Sequence, residues 1–185
     1  MFIDYLALML INLVAGMVLF AVYFFFFLDV GQKKMAPGFL VVGFLQLVTG
    51  LRMIFTWPLP SSFNIAFGEP AVLFGALFLT LGFALLFDWD LLSLGIVGML
   101  GGLVALVVGV RIMDMGITKE PLAAMVGFVL TGIVGVSALP GYYLRRYTVI
   151  RVLVTLAALG AAFVWAITGY ASYWGHLEQF AGWGA

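Results

Sequence analysis

The stretch Leu94-Gly95-Ile96-Val97-Gly98-Met99-Leu100-Gly101-Gly102-Leu103-Val104-Ala105-Leu106-Val107-Val108-Gly109-Val110 decides the fold. It contains no charge, amide or hydroxyl, and it is apolar on every side. Only helices and closed β-barrels satisfy their backbone polar groups in hydrocarbon. Barrel strands alternate apolar and polar residues, and this stretch does not alternate, so it reads as a helix. With its flanks it covers residues 91–112. A span needs about 20 apolar residues to cross about 30 Å of hydrocarbon.

Five further stretches of spanning length surround it, at residues 5–28, 37–56, 70–87, 121–139 and 149–170. The predicted fold is therefore all-α, a single integral membrane bundle of six transmembrane helices over residues 1–185. The tail, 171–185, carries Tyr173, Trp174, His176, Phe180 and Trp183; aromatic rings of this kind settle at a membrane interface. Three spans open at Pro37, Pro70 and Pro121, where the missing N–H costs nothing in a first helical turn. Pro140-Gly141 is expected to end the fifth span. Asp4 and no basic residue precede the first span. That span is too long for a signal-peptide core and lacks a small-residue cleavage site, so it reads as retained.

Composition supports lipid as the solvent. Of 185 residues, 65% are hydrophobic and 9% charged, with a mean hydropathy of +1.24. Soluble domains lie nearer half apolar and a quarter charged. The formal net charge is zero, which leaves no basic patch for nucleic acid. There is no cysteine and one histidine, His176. Thiol chemistry, iron–sulfur clusters, a haem held by two histidines of one chain and histidine-rich metal sites are excluded. The nine methionines are dispersed and read as packing. No Ser/His/Asp set or carboxylate pair with a base can be assembled, so no cofactor and no catalytic residue is expected.

Lys33, Lys34, Arg145, Arg146 and Arg151 fall on one side of a six-span topology; Arg52, Arg111 and Lys119 fall on the other, with both termini. Positive charge collects inside, which predicts both termini outside.

Two segments resemble each other. Val48-Thr49-Gly50-Leu51-Arg52-Met53 matches Val107-Val108-Gly109-Val110-Arg111-Ile112, and each is followed by a loop and a Glu-Pro helix start, Glu69-Pro70 and Glu120-Pro121. Spans 2–3 and 4–5 thus read as a parallel two-hairpin repeat. The arrangement puts Arg52, Glu69, Arg111 and Glu120 on one membrane face, where they could meet as a cluster. The other reading is local: cations suit helix C-termini, anions suit N-termini, and all four snorkel to the interface. Arg52 stands a turn inside its span, and charges so placed usually mark function. Asn12 and Gln46 lie within the hydrocarbon, as interhelical hydrogen-bonding groups or as part of a polar route.

The small residues Gly98, Gly102, Ala105 and Gly109 share a face of span 4, and Gly127, Thr131 and Gly135 share one of span 5. Such stripes permit close backbone approach, to each other or to a neighbouring subunit. In the loop 57–69, Pro58 and Pro60 favour extended backbone. Phe63, Ile65 and Phe67 alternate with Asn64 and Ala66. The loop is expected to fold over the outer mouth as a lid on the Arg/Glu cluster or as a plug. Asp88 and Asp90 flank Trp89 as helix-ending caps.

The run Trp57-Pro58-Leu59-Pro60 with Asn64-Ile65-Ala66-Phe67-Gly68-Glu69-Pro70 resembles an uncharacterised family of archaeal and bacterial polytopic membrane proteins, domain of unknown function 981. The resemblance covers most of the chain. It implies a prokaryotic cell membrane and assigns no chemistry.

Two functions remain open. One is a small transport or permeation unit, with Arg52, Glu69, Arg111, Glu120 and Asn64 at an outer vestibule and Asn12 and Gln46 along the way inward. The other is a non-catalytic subunit or assembly partner of a larger membrane complex, docked through its glycine faces. The expected partners are the lipid bilayer and either a second copy of the chain or other membrane subunits. The apolar spans are interrupted by glycine rather than by Gly/Pro pairs, so no helix broken near the midplane is expected.

Overall fold

The computed structural model describes residues 5–28 and 30–182. Asp4, Asp29 and Trp183 lie outside the described residues. Every regular element among those described is helical: α1 (Leu6–Val22), α2 (Ala36–Thr56), α3 (Glu69–Phe87), α4 (Leu92–Met115), α5 (Pro121–Val136), α6 (Ala138–Leu144) and α7 (Thr148–Gln179). A π-helical turn, Tyr23–Phe27, extends α1, and another, Asn64–Gly68, leads into α3. Five helices are long and apolar enough to span a membrane, and α5 with α6 supplies a sixth crossing if the bent pair is one span.

The bend is 43°, and it falls at Ser137 rather than at the expected Pro140-Gly141, both of which lie inside α6. Proline explains the offset. Pro140 cannot donate to the carbonyl of Val136 four residues earlier, and its ring clashes there. The chain therefore turns before the clash. The Ser137 hydroxyl donates back to Ile133 (2.5 Å) and Val134 (3.0 Å). The expected separate tail also differs: α7 continues to Gln179 for 32 residues. At 1.5 Å per residue that is roughly 48 Å, longer than the hydrocarbon is thick. No proline interrupts it, and Thr168 and Ser172 bond their hydroxyls back to Val164 and Thr168.

The crossings form a ring in chain order. α1 packs on α2, α2 on α3, α3 on α4, α4 on α5, α5 on α7, and α7 returns to α1. The tightest pairs are α2–α3 and α4–α5. Both are sealed by glycine. A Cβ on Gly102 would sit 2.6 Å from the Gly132 carbonyl oxygen, and one on Gly135 would sit 2.6 Å from the Cα of Gly102. The span-4 stripe is thus taken up within the chain. Gly127 faces the Trp165 indole of α7 instead of α4. A second stripe, not read from the sequence, joins α2 to α3: Gly43 meets the backbone of Leu79, and Gly75 that of Leu47. Gly43 and Gly50 bear the same sequence offset to Gly102 and Gly109 as Arg52 bears to Arg111.

The outside of the ring is apolar, with Val41, Phe44, Val107, Leu156 and Phe163 all exposed; it suits a lipid surround. The core inside holds Met17, Phe39, Phe74, Phe78, Phe128 and Trp165. One end of the ring carries the helix turns with Lys33, Lys34, Arg145, Arg146 and Arg151, and is called the basic end. The other, the terminal end, carries the start of α1 and the end of α7, which run antiparallel: Arg151 reaches Phe24, and Gly169 reaches Leu10 and Ile11.

Candidate functional site

At the terminal end, Arg52, Glu69, Arg111 and Glu120 are all exposed. Among the described residues no ion pair joins Arg52 to Glu69 or Arg111 to Glu120. Arg111 pairs with Asp114, one turn along its own helix. A partner already held three residues away costs less ordering than one on another hairpin.

Asn64 is fully buried and organises the loop before α3. Its side-chain oxygen accepts from the Leu59 N–H (3.1 Å), and its amide donates to the carbonyls of Leu59 (2.5 Å) and Ser61 (3.3 Å). The expected in–out alternation of Phe63, Ile65 and Phe67 is replaced by a helical turn, with the Ala66 N–H bonded to the Ser62 carbonyl. Phe63 and Phe67 then stack (6.1 Å between ring centres), and Phe67 packs on Phe128 of α5 (5.4 Å), closing the terminal end with aromatic rings. The prolines bias only the residues that precede them, so Asn64 is free to start a turn.

Asn12 and Gln46 do come together. The Asn12 amide donates to Gln46 Oε1 (2.8 Å) and to the Val42 carbonyl (2.9 Å), joining α1 to α2 in a buried site. A second buried polar contact was not read from the sequence: Trp165 Nε1 donates to the Thr131 hydroxyl (3.0 Å), joining α7 to α5.

Three voids, each sharing a bordering residue with the next, succeed one another from the basic end to the terminal end. At the basic end lies a cavity of about 110 Å³, walled by Phe20, Phe24, Phe74 and Phe78 and edged by Tyr142 and Arg145. A void of about 30 Å³ follows, bordered by Gln46, Thr131 and Trp165. A third, of about 210 Å³, lies among Leu6, Leu59, Phe63, His176 and Phe180 at the terminal end. Phe74 borders the first two, and Leu6 borders the last two.

The basic end is held together by contacts that, apart from the capping expected of Asp90, sequence reading missed. Arg151 of α7 donates from Nε to the Phe24 carbonyl (3.2 Å) and from Nη2 to the Phe25 carbonyl (2.7 Å). These are carbonyls of the π-helical turn, at a helix end where orphan acceptors need donors. Lys33 Nζ pairs with Asp88 at 2.5 Å, both exposed, and so contributes little. Asp90 caps α4 by accepting from the Leu92 N–H (2.8 Å) and also accepts from the Tyr142 hydroxyl of α6 (2.8 Å), which fastens the bent segment to the α3–α4 turn. The Leu92 N–H first, then Tyr142, hold its carboxyl below the ordinary 3.8. A depressed carboxylate gives stability that is fully present above pH 3.8 and lost as pH falls through the lowered native value. Asp90→Ala is therefore expected to lower the unfolding temperature at neutral pH, with the gap from wild type closing only below 3.8. A gap that persists unchanged in strong acid would show that the carboxylate's charge is irrelevant.

Among the described residues no group of three or more His, Cys, Asp or Glu side chains could hold a metal ion. A family model described as protein of unknown function (DUF981) matches residues 1–179. No curated protein and no solved structure matches the chain.

Proposed function

We propose a permeation role for this protein, which belongs to the DUF981 family: a small unit that passes solutes through the interior of its helix ring. The observation that carries the reading is the succession of voids, neighbouring ones sharing a bordering side chain, Phe74 and then Leu6. A ring packed to the density of an ordinary core would leave few voids larger than a water molecule. The walls are overwhelmingly apolar; Asn12 bonds to Gln46 and the Val42 carbonyl, and Trp165 bonds to Thr131. A bare ion would lose its hydration without compensation there, so the solute is uncharged over the part that crosses.

In this reading Arg52, Glu69, Arg111 and Glu120, with the loop that Asn64 organises, form a solvated rim at the terminal mouth. Gln46, held by Asn12, borders the narrow section. The basic end faces the cytoplasm and both termini face outward, by the positive-inside rule. The α4–α5 glycine stripe is occupied inside the chain, so an assembly partner would dock on another face.

Liposome flux of small uncharged solutes tests the proposal. Phe74→Ala is expected to raise flux several-fold and Phe74→Trp to suppress it. Identical flux in wild type and both variants would end the permeation reading. Arg52→Ala tests the rim separately: unchanged flux in a folded variant removes Arg52 from the route.

A further inference from the structure

We infer that the terminal-end void is a binding site for a small uncharged solute built on one aromatic ring, walled by Phe63 of the loop before α3 and Phe180 at the end of α7. The inference goes beyond the permeation reading and does not rest on it. The next void inward, about 30 Å³, is too small for a ring, so a guest of this class stops at the mouth.

Size, wall chemistry and a preset shape carry it. The void is about 210 Å³. An apolar void of about 150 Å³ admits benzene, so one ring with a small substituent fits. The lining comes from the ends of elements: Leu6 opens α1, Leu59, Pro60 and Phe63 belong to the loop, and His176 and Phe180 close α7. A site built there is reached from the membrane boundary, where a guest leaving water gains by burying apolar surface. Phe63, His176 and Phe180 contribute three rings to the lining, and ring pairs gain beyond their buried area. The shape is set before a guest arrives. Asn64 holds the loop wall through the N–H and carbonyl of Leu59 and the carbonyl of Ser61. Phe63 is stacked on Phe67, and Phe180 meets His176 edge to face with ring centres 6.3 Å apart. Walls already ordered cost less to bind against than walls that must be ordered by the guest. No Asp, Glu, Lys or Arg lines the void, so a charged group would be desolvated there without a counter-ion. The exposed amide of Gln179, on the same lining, can serve a hydroxyl.

The test uses the full chain in nanodiscs of zwitterionic lipid, photolabelled with a diazirine-bearing benzyl alcohol and mapped by peptide mass spectrometry. Unlabelled benzyl alcohol, cyclohexylmethanol and benzoate serve as competitors, the two alcohols compared at equal concentration in the lipid. Label is expected on the peptides that hold Leu59 with Phe63 and His176 with Phe180. Benzyl alcohol is expected to displace it at a roughly two- to tenfold lower concentration than its saturated match, and benzoate is expected not to displace it. Phe63→Leu and Phe180→Leu are each expected to weaken labelling several-fold and to shrink the preference for benzyl alcohol over cyclohexylmethanol. Phe180 lies at the end of α7, so its variant reads the site even where Phe63→Leu loosens the loop by losing the Phe67 stack. Equal displacement by the two alcohols overturns the ring assignment, and displacement by benzoate overturns the exclusion of charge. Label confined to the outer face of the ring, or unchanged in both variants, overturns the site. Solute flux measured on the same preparation keeps the two readings apart: labelling without flux removes the permeation role and leaves the site standing, and flux without labelling does the reverse.

Discussion

Gly102→Ala is expected to destabilise the protein at or above the upper end of the roughly 1–3 kcal/mol usual for overpacking, although it adds one methyl group. The new Cβ would lie 2.6 Å from the Gly132 carbonyl oxygen and 2.6 Å from the Gly135 carbonyl carbon, with the Val136 nitrogen closer still. These are backbone atoms of a helix, so no rotamer change relieves the contact. Helices α4 and α5 must separate, and with them goes the van der Waals packing that substitutes for a hydrophobic drive in lipid. Gly175→Ala is the control. It lies in α7, and a Cβ there meets nothing within 4 Å; the change is expected to be neutral or to stabilise by up to about 1 kcal/mol through helix propensity. Thermal unfolding of the two variants in one detergent separates the effects. If Gly102→Ala unfolds with wild type, the close approach of α4 and α5 is wrong.

The span-4 stripe was legible because its glycines repeat every three or four residues, and that spacing puts them on one face of any helix. Its partner was not legible, since the spacing is silent about what lies opposite. The α2–α3 stripe was less legible because Gly43 and Gly50, and Gly75 and Gly82, stand seven apart in segments otherwise rich in leucine, valine and phenylalanine. The break at Ser137 could have been placed from Pro140 by counting back to the carbonyl its ring excludes. The Arg/Glu cluster shows a deeper limit. Sequence assigns Arg52 and Glu69 to one end of the bundle, but their approach depends on how each helix is rotated about its axis. In a soluble helix the polar face fixes rotation. A helix apolar on every side carries no such mark. Close packing set the rotation here, leaving Arg52 exposed and Arg111 with its neighbour Asp114. The same packing brought Asn12 onto Gln46, a meeting between helices that no spacing within either helix could announce.

Trp165→Ala is the second change with a large expected effect. Trp165 is 1% exposed, meets Phe128 edge to face with ring centres 5.1 Å apart, and donates to Thr131. Deleting a buried tryptophan or phenylalanine side chain costs roughly 3–5 kcal/mol in soluble cores. The low end applies here, because lipid rather than water is the alternative surround and only the lost contacts and the cavity remain. Trp165→Phe keeps most of the ring. It is expected to cost only about 1 kcal/mol, since the Thr131 hydroxyl can turn to a carbonyl of its own helix. A second substitution separates packing from the hydrogen bond. A Cβ on Gly127 would lie 2.8 Å from the indole, so Gly127→Ala damages the wild type. In a Trp165→Ala background the obstacle is gone, and the same alanine fills part of the hole. The two changes are therefore expected to be strongly non-additive, with the double variant more stable than the sum of the singles predicts. Additive losses would mean that the indole does not lie against Gly127. Because Trp165 borders the smallest of the three voids, the single alanine variant should also pass solutes faster than wild type, as long as it is assayed below its lowered unfolding temperature. Faster flux from a less stable but still folded protein would tie the ring's packing to its permeability; unchanged flux would place the constriction elsewhere, at Phe74.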